Sequence, residues 1–478
     1  MEFRLAQRHP WHGDLLLAIS AAALIVTLSM GVRQSFGLLM QPIGRELGIA
    51  RESFGFAIAV QNLLFGLAQP FIGGLSDRFG TRPTLIFGAT IYAIGLAAAA
   101  LATDSHSLMA SLGLLVGLAL SGTTFVVVLS AVGRIASPEQ RSVAFGIVTA
   151  GGSLGQFAVV PLSQALISTL QWRGALWALC ALILVIVLAA FGLPGRQRKD
   201  GQNALRPPED ALTLGCALRM ASRHRHYWLL NGGFFVCGFH VAFVGTHLPA
   251  FLVDQGLDAH IGAWSLALIG LFNIFGSYLF GLWGGRHSRP WLLSFLYASR
   301  GIAMVIFLAM PLSPLTALAF AATFGFLWLG TVPLTSGAVA SMFGMSQLST
   351  LYGIVFLSHQ VGAFLGAWWA GRLFDQTGSY QVIWVISIGL AVLLAFIGVK
   401  LILHALHENN LPFINGGQPL HGVPDIPISV SLGAIVAILG VTTVASLMKS
   451  SRDRRVEAAA TAVQPLPPPS QDDDNPLA

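Results

Sequence analysis

The sequence predicts an all-α integral membrane protein: twelve transmembrane helices in two six-helix repeats, followed by an extra C-terminal hydrophobic helix. Composition is the first observation behind this prediction, because 55% of the 478 residues are hydrophobic and only 10% are charged, whereas soluble domains carry roughly 25% charged residues. The second observation is a series of apolar runs, each long enough for a crossing of roughly 20 residues. The third is an internal repeat with a constant offset of 207 residues. A soluble enzyme is therefore excluded.

The apolar runs define the predicted spans in order along the chain. The first, from Leu15 to Ile43, is too long for the apolar region of a cleavable signal peptide. A polar segment that contains Pro207-Pro208 separates the sixth run from the seventh. The twelve predicted spans cover residues 15–43, 54–75, 83–103, 107–132, 142–168, 173–194, 227–252, 262–284, 291–310, 315–340, 352–374 and 381–403, and a weaker thirteenth run covers 427–447.

Basic residues predict the orientation. With a cytoplasmic N-terminus, the inside loops hold fifteen Lys and Arg residues and the outside loops among the twelve spans hold four. The positive-inside rule therefore predicts a multi-pass protein of the inner (plasma) membrane with its N-terminus in the cytoplasm. Seven of the fifteen lie in a break at 195–226, predicted to be a cytoplasmic linker between an N-terminal bundle, residues 1–194, and a C-terminal bundle, residues 227–403.

The repeat is visible at three separated places. Residues of spans 1, 2 and 5 correspond to residues of spans 7, 8 and 11 at the same offset, so the two halves are predicted to run parallel, with the substrate site at their interface. The matching pairs are Gly31 and Gly238, Arg33 and His240, Phe36 and Phe243, Pro42 and Pro249, Gly74 and Gly281, Arg82 and Arg289, Gly146 and Gly353, Gly155 and Gly362, and Phe157 and Phe364.

The loop after span 2 carries a recognisable motif, Gly74-Leu-Ser-Asp77-Arg78-Phe-Gly80-Thr-Arg82-Pro83. This motif resembles the signature between helices 2 and 3 of the major facilitator superfamily, and the resemblance covers about residues 15–395. It implies a gating role for Gly74, Asp77, Arg78, Gly80 and Arg82. From the residues alone, a basic inside turn without a gating role stays open, and the degenerate second copy has Gly284 in place of the aspartate.

Within the superfamily, the segment from Gly31 to Gly37 is similar to bacterial relatives of the monocarboxylate porters and oxalate–formate antiporters. One feature departs from that group. The Asp and Arg that the porters carry four residues apart in helix 8 fall on Asn273 and Ser277 here.

Two arginines, Arg33 in span 1 and Arg300 in span 9, lie near the middle of a span, and none of the twenty acidic residues does. A charged residue there costs about 3 kcal/mol on insertion scales. An anionic substrate would supply the missing counter-charge, and the planar guanidinium suits a carboxylate. The resemblance implies that helices 1, 4, 7 and 10 line the cavity, which favours Arg33 and leaves Arg300 open to a structural role.

Polar residues elsewhere in the spans are further substrate-site candidates. His240, as the repeat partner of Arg33, is expected to face the same cavity. His359 is followed by Gln360, and either histidine is a candidate proton carrier. Gln61, Asn62, Gln156 and Asn273 are candidate lining residues, with interhelical hydrogen bonding as the alternative. His247 is expected nearer the membrane interface.

The predicted function is secondary active transport of a small organic anion, a monocarboxylate by expectation, through alternating access. Protons are a candidate coupling ion, and the lipid bilayer is the expected surrounding; no cofactor, metal site or nucleic-acid partner is predicted. Enzymatic activity is not expected, because there is no HExxH motif and no Walker loop, and the cluster Gly151–Gly155 lies within a span, where it favours close packing. An exporter of drugs or other apolar solutes is the first alternative.

The C-terminal segment changes character from about residue 389. The sequences around His404 and His407, Leu411–Gly417, Ser431 and Val441–Ser446 resemble the last two helices of the TerC family over residues 389–450. That resemblance implies a fusion and a second alternative function in metal or tellurite stress. Residues 404–455 are accordingly predicted as a TerC-like loop and hydrophobic helix, and 456–478 as a disordered tail.

Overall fold

The computed structural model describes residues 13–193, 214–343 and 348–408. These residues form helices and short connections, and no strand occurs among them. Helices are the expected outcome because a membrane offers no water to the backbone, so each segment must satisfy its own N–H and C=O groups. The predicted extra helix at 427–447 and the predicted tail lie outside the described residues.

The N-terminal half contains spans 1 to 6. Span 1 is broken at Ser35, span 4 begins with a π-helical turn, and a single long helix holds spans 5 and 6. The helices are Gly13–Gln34 and Phe36–Leu47 (span 1), Arg51–Phe79 (span 2), Thr81–Ala100 (span 3), Ser105–Leu108, Met109–Leu115, Val116–Thr123 and Phe125–Ile135 (span 4), and Pro138–Ala189 with the 3-10 turn Ala190–Gly192 (spans 5 and 6).

The C-terminal half repeats this plan. The short helix Leu214–Arg223 precedes it, and span 10 is broken between Phe326 and Thr331. The helices are Arg225–Asp254 (span 7), Ala259–Gly284 (span 8), Arg289–Ala309 (span 9), Pro314–Phe326 and Thr331–Phe343 (span 10), Leu348–Thr377 (span 11) and Gln381–Glu408 (span 12).

The number of crossings agrees with the prediction. Ten helical stretches within the described ranges are long and apolar enough to cross a membrane. One of them, Val143–Gly192, has 50 residues and bends at Gln171, whose φ of 60° and ψ of 173° are not helical, so it holds two spans. Span 12 contributes the shorter apolar stretch Gln381–Phe396. The predicted fold of twelve spans in two repeats is confirmed.

The repeat reappears as matching close contacts. A Cβ atom on Gly31 would lie 2.7 Å from the carbonyl oxygen of Gly155, so only glycine lets spans 1 and 5 approach this closely. Their repeat partners Gly238 and Gly362 bring spans 7 and 11 together in the same way, against the backbone of His359 and Phe235.

The two halves meet along spans 2 and 11 and along spans 5 and 8. Because neighbouring spans run in opposite directions, the turns fall at two ends of the bundle. We call the end with the turns at 48–50, 255–258 and 378–380 the Arg51 end, and the end with the loop from Gly74 to Pro83 the Gly80 end. Hydrogen bonds between the halves cluster at the Arg51 end and at mid-depth.

Candidate functional site

A narrow cavity lies between the two halves at mid-depth. Its walls come from spans 1, 2 and 7, and its polar lining includes Arg33, Gln34, Gln61, Asn62 and Thr246. The space open to the centre of a water molecule is about 30 Å³, and a single water needs roughly 10–15 Å³ by this measure. The cavity as described therefore holds about two waters, and a larger solute would require the walls to separate.

Arg33 is the one cation on this cavity among the residues that line it. Its Nη2 donates a short hydrogen bond to Oδ1 of Asn62, and its Cζ lies 5.5 Å from the ring centre of Phe65. Its Nε is buried and has no partner. No carboxylate is buried among the side chains that the structure describes. The guanidinium thus presents an uncompensated positive charge and a free N–H group to an anion.

Asn62 is held so that it can only accept from Arg33. Its Nδ2 donates to the carbonyl of Ile58 at 2.8 Å, one turn earlier in span 2, which leaves Oδ1 facing the guanidinium. The sequence predicted Asn62 as a candidate lining residue, and it lines the cavity. The sequence did not indicate its pairing with Arg33, because that pairing depends on how spans 1 and 2 cross.

The other amides near the cavity mostly join helices. Gln61, which lines the cavity, donates from Nε2 to the carbonyl of Leu112 in span 4 at 2.8 Å. Gln34 donates to Oε1 of Gln156 at 3.3 Å, and Gln156 donates to the carbonyl of Leu266 in span 8 at 2.9 Å. Gln156 therefore connects the cavity wall to the opposite half.

The structure places Arg300 away from the cavity. Its side chain is fully buried, and its Nε and Nη2 donate to the carbonyl of Leu327 at 2.9 and 2.5 Å; Nη2 also donates to the carbonyl of Trp328. These carbonyls stand at the break of span 10, where the first helix ends. A cation near a helix C-terminus satisfies the orphan carbonyls and the helix dipole, so the described bonds of Arg300 are those of a helix cap. Its Nη1 is buried without a partner, and Arg300 is not among the residues that line the cavity.

His240 does not line the cavity either. It is fully buried, and its Nε2 lies 2.9 Å from the carbonyl of Ser387 in span 12. The repeat places it at the position equivalent to Arg33, but the imidazole is shorter and finds a backbone acceptor inside its own half.

His359 and Gln360 face different neighbours of span 11. His359 faces span 7 of its own half: its ring lies 4.9 Å from that of Phe234 and stacks on Phe356 with centres 5.8 Å apart. Gln360 packs against Gly66 of span 2, at the interface of the halves, and has a buried Nε2 without a partner; its Oε1 is 3.2 Å from Nδ1 of His359. Neither residue lines the described cavity.

Asn273 forms hydrogen bonds that join span 8 to two other spans. Its Nδ2 donates to Oγ of Ser153 in the other half at 2.8 Å, and its Oδ1 accepts from the backbone N–H of Leu329 at 3.0 Å and from Ser277 at 3.1 Å. Leu329 belongs to the break of span 10, so Asn273 and Arg300 support the same irregular segment from two sides. Ser153 sits within the long helix, which agrees with a packing role for the cluster Gly151–Gly155.

The segment from Gly74 to Pro83, predicted as a loop, is helical except at Gly80, because span 2 continues to Phe79 and span 3 begins at Thr81. Within this segment, Arg82 has the clearest role. Its Nε and Nη2 donate to the carbonyls of Leu193 and Phe191 at 2.7 and 3.0 Å, where span 6 ends. Arg78 is exposed beside the ring of Phe79 at 5.3 Å, and Gly80 adopts a φ of 100° that glycine tolerates. Gly74 has open space around it. The side chain of Asp77 lies outside the described part of the chain.

A cluster at the Arg51 end was missed by sequence reasoning. We call it the Arg51 latch, and it consists of Arg51, Glu52, Asp254, Arg372, Asp375 and Tyr380. Each residue stands at the end of a span, where charges are ordinary, and their pairing joins positions more than 200 residues apart. The sequence did contain one signal. Acidic and basic residues lie at those ends of spans 2, 7 and 11 that the predicted topology places on the same side of the membrane.

The latch bonds span 2 of one half to spans 7, 11 and 12 of the other. Arg51 donates to both carboxylate oxygens of Asp254, with 2.7 Å for the Nη2 bond, and to the hydroxyl of Tyr380 at 2.9 Å. Glu52 accepts from Arg372 at 3.0 Å. Asp375 accepts from the backbone N–H groups of Arg51 and Glu52 at 3.2 and 2.6 Å. The halves are therefore closed against each other at this end.

Comparison with known proteins identifies relatives of the same class. The Major Facilitator Superfamily model matches residues 22–367. Monocarboxylate transporter 13 of Bos taurus is 28% identical over 375 residues, covering 75% of this chain and 83% of its own length. The uncharacterized MFS-type transporter YcxA of Bacillus subtilis (strain 168) is 26% identical over 383 residues, covering 78% and 90%.

Solved structures support the same fold. The nucleoside transporter NupG aligns with a TM-score of 0.67 at 14% identity, covering 80% of this chain and 99% of that one. A bacterial homolog of the human lysosomal transporter Spinster aligns with a TM-score of 0.63 at 16% identity, covering 92% and 97%. The family model ends before the TerC-like segment begins. From the family match, the twelve-span repeat and the relatives together, this chain is a multi-pass membrane transporter, not an enzyme, and it belongs to the Major Facilitator Superfamily.

Proposed function

We propose that this transporter moves a small organic anion, a monocarboxylate, by gradient-driven alternating access, and that Arg33 binds the carboxylate. The observation that carries the proposal is the free, buried Nε of Arg33 on a cavity that no carboxylate lines. A guanidinium fork matches a carboxylate in charge and geometry. Relatives named monocarboxylate transporters, such as the one from Bos taurus, support this substrate class.

The basic loops favour a cytoplasmic N-terminus in the inner membrane, which makes the Arg51 end the outer end. The two six-helix bundles, residues 1–194 and 227–403, then rock against each other around the cavity, joined by the linker at 195–226. With the Arg51 latch closed, the cavity would exchange with the cytoplasm. We further propose that the loop with Gly74, Asp77, Arg78, Gly80 and Arg82 gates that side, since Arg82 ties the loop to the end of span 6.

Uptake of labelled monocarboxylates into proteoliposomes tests the proposal, with Arg33→Gln as the decisive variant. Glutamine keeps a donor for Asn62 but removes the charge. Hydrogen bonds to charged groups contribute about 1.5–3 kcal/mol, so we expect kcat/KM to fall by roughly 10- to 150-fold.

The matched control is Arg45→Gln, which removes the same charge from the same span. Arg45 is exposed, and its only described side-chain hydrogen bond is to Gln41, at 3.3 Å. Unchanged uptake of every anion in Arg33→Gln would refute the assignment of Arg33.

The alternatives give different results in the same assay. An exporter of neutral apolar solutes would show no anion uptake, and loss of the gene would lower resistance to such solutes. A role in metal or tellurite stress would depend on residues 404–478, so their deletion would abolish it while leaving anion uptake intact.

A further inference from the structure

A buried histidine continues the Arg51 latch into the protein. His247 of span 7, expected near the membrane interface, lies toward the Arg51 end with its side chain fully buried among the helices. Its Nε2 lies 2.8 Å from the carbonyl oxygen of Ala367 in span 11, and its Nδ1 lies 3.0 Å from the hydroxyl of Tyr380 in span 12. The same hydroxyl accepts from Nη1 of Arg51 at 2.9 Å.

The partners fix the direction of every bond in this chain. A carbonyl oxygen can only accept, so Nε2 of His247 must carry a hydrogen. In a neutral imidazole the other nitrogen is then an acceptor, and the hydroxyl of Tyr380 donates to it. Arg51 can only donate, so the oxygen of Tyr380 accepts from it. The closed latch therefore contains a neutral His247.

A protonated His247 does not fit this arrangement. Both ring nitrogens would then donate, and the hydroxyl hydrogen of Tyr380 would lose its acceptor. The nearest alternative is the thioether sulfur of Met40 at 3.9 Å, and sulfur is a weak acceptor. The protonated imidazole would also place a second positive charge near Arg51, separated from it only by the hydroxyl of Tyr380, in a buried site. A buried charge without a counter-charge is unfavourable.

The site borders the surface that must part when the latch opens. A Cβ atom on Gly55 of span 2 would lie 3.5 Å from Nε2 of His247, so span 2 covers the imidazole from the opposite half. Separation of span 2 from spans 7 and 11 would expose His247 to water, where protonation carries no such cost.

We propose that His247 is a proton-binding site that controls the Arg51 latch: proton uptake favours the open Arg51 end, and closure of the latch releases the proton. By linkage, a ligand that binds only one of two states shifts the equilibrium toward that state. The ligand here is the proton, and the responding element is the contact of span 2 with spans 7, 11 and 12.

Other ionisable groups surround His247. They are Arg51 and Glu52 on span 2, Asp254 on span 7, Arg372 and Asp375 on span 11, and Tyr380 on span 12. Carboxylates ordinarily titrate near pH 4 and arginine and tyrosine at about pH 10 or above, whereas an exposed imidazole titrates near pH 6.5. A comparison of pH 8 with pH 5.5 therefore isolates histidine.

The test measures the distance between the halves at the Arg51 end by double electron–electron resonance on the full-length chain in nanodiscs. Spin labels go on Leu101→Cys and Leu315→Cys, which are exposed at that end, with Cys216 replaced by serine; Cys180 and Cys237 are buried. For one imidazole that protonates only in the open state, we expect the open-to-closed ratio to rise about tenfold from pH 8 to pH 5.5.

His247→Asn keeps an acceptor for Tyr380 but cannot gain a proton, and we expect its ratio to change less than about twofold over that range. Tyr380→Phe, which removes the intervening hydroxyl, should weaken the response. The matched control is His240→Asn, since His240 is equally buried on the same span but bonds Ser387 instead; it should keep the tenfold response. The exposed His106 and His260 stay in every variant.

A full response in His247→Asn, a lost response in His240→Asn, or no response in the unmodified chain would each overturn the proposal. The measurement needs no substrate. Its outcome is therefore separate from that of the anion assay, which depends on Arg33.

Discussion

Arg33 and Arg300 are alike in the sequence and different in the structure. Both are arginines near the middle of a span with no acidic partner. Arg300 donates to the carbonyls of Leu327 and Trp328 at the break of span 10 and keeps a buried Nη1 without a partner. Arg33 donates to one amide, has an unpartnered Nε, and lines the cavity between the halves. A buried charge in a membrane span is therefore evidence for function only after the neighbouring backbone has been considered.

The difference lies in what the neighbouring backbone offers, because span 1 is itself broken at Ser35, close to Arg33. At that break the hydroxyl and the backbone N–H of Ser35 donate to the carbonyls of Gly31 and Val32, and Arg33 donates to the side chain of Asn62 instead. A broken span exposes carbonyls that a cation can cap, and the break between Phe326 and Thr331 supplies them to Arg300.

The largest effect is expected from removing the structural arginine. Arg300→Met deprives the Leu327 and Trp328 carbonyls of their donor, and each buried acceptor left unsatisfied costs about 1–3 kcal/mol. We expect the free energy of unfolding to fall by about 3–5 kcal/mol, seen as a large drop in Tm in detergent. Arg33→Met should lower the free energy of unfolding by less, because it leaves one acceptor, Oδ1 of Asn62, without its donor, whereas Arg300→Met leaves two backbone carbonyls. Equal losses in the two variants would contradict the distinction between them.

A new carboxylate beside Arg33 should block the site without unfolding the protein. In Asn62→Asp the guanidinium gains a permanent counter-charge that competes with the substrate, and we expect kcat/KM to fall by roughly 10- to 100-fold. Asn62→Ala removes the hydrogen bond that positions the guanidinium and adds no charge. The loss of one hydrogen bond, about 0.5–1.5 kcal/mol, predicts a rise in KM of roughly 3- to 10-fold. Uptake kinetics distinguish the two. If the aspartate variant transports as well as the alanine variant, Arg33 is not the anion contact.

The smallest effect concerns a residue outside both sites. Asp258 caps span 8 by accepting from the backbone N–H of His260 at 2.7 Å, and this bond, with the His260 side chain, holds the pKa of the carboxyl below its ordinary value. A carboxyl whose pKa is lowered in the folded state stabilises the folded protein at pH values above its unfolded-state pKa, near 3.9. That stabilisation is lost as the pH falls through the lowered folded-state pKa. Asp258→Ala should therefore lower Tm slightly at pH 7, with normal uptake. The difference from the unmodified chain should begin to shrink as the pH falls below roughly 4 and should vanish once the pH falls through the lowered folded-state pKa.

Hydropathy, loop charge and the repeat were enough to predict the fold, since each span must be apolar and helical on its own. They also brought Arg33 to the centre of the bundle. They could not place Arg300, because the break of span 10 at residues 327–330 has the same apolar composition as the helix around it. They also missed His247 and the Arg51 latch, because a repeat relates equivalent positions within the halves and carries no information about contacts between them.

One bond of the latch differs in kind from an ordinary helix cap. Span 2 begins after Ala50, whose side chain cannot accept a hydrogen bond, and the carboxylate that satisfies its first N–H groups belongs to Asp375 in the other half. In the proposed alternating access, water would replace that carboxylate when the halves part, and the helix would persist. The favourable free energy of this cap would then stabilise the closed arrangement of the two halves rather than span 2 itself. Substitution of Asp375 is therefore expected to change how long the transporter stays in each proposed state while leaving its folded structure intact.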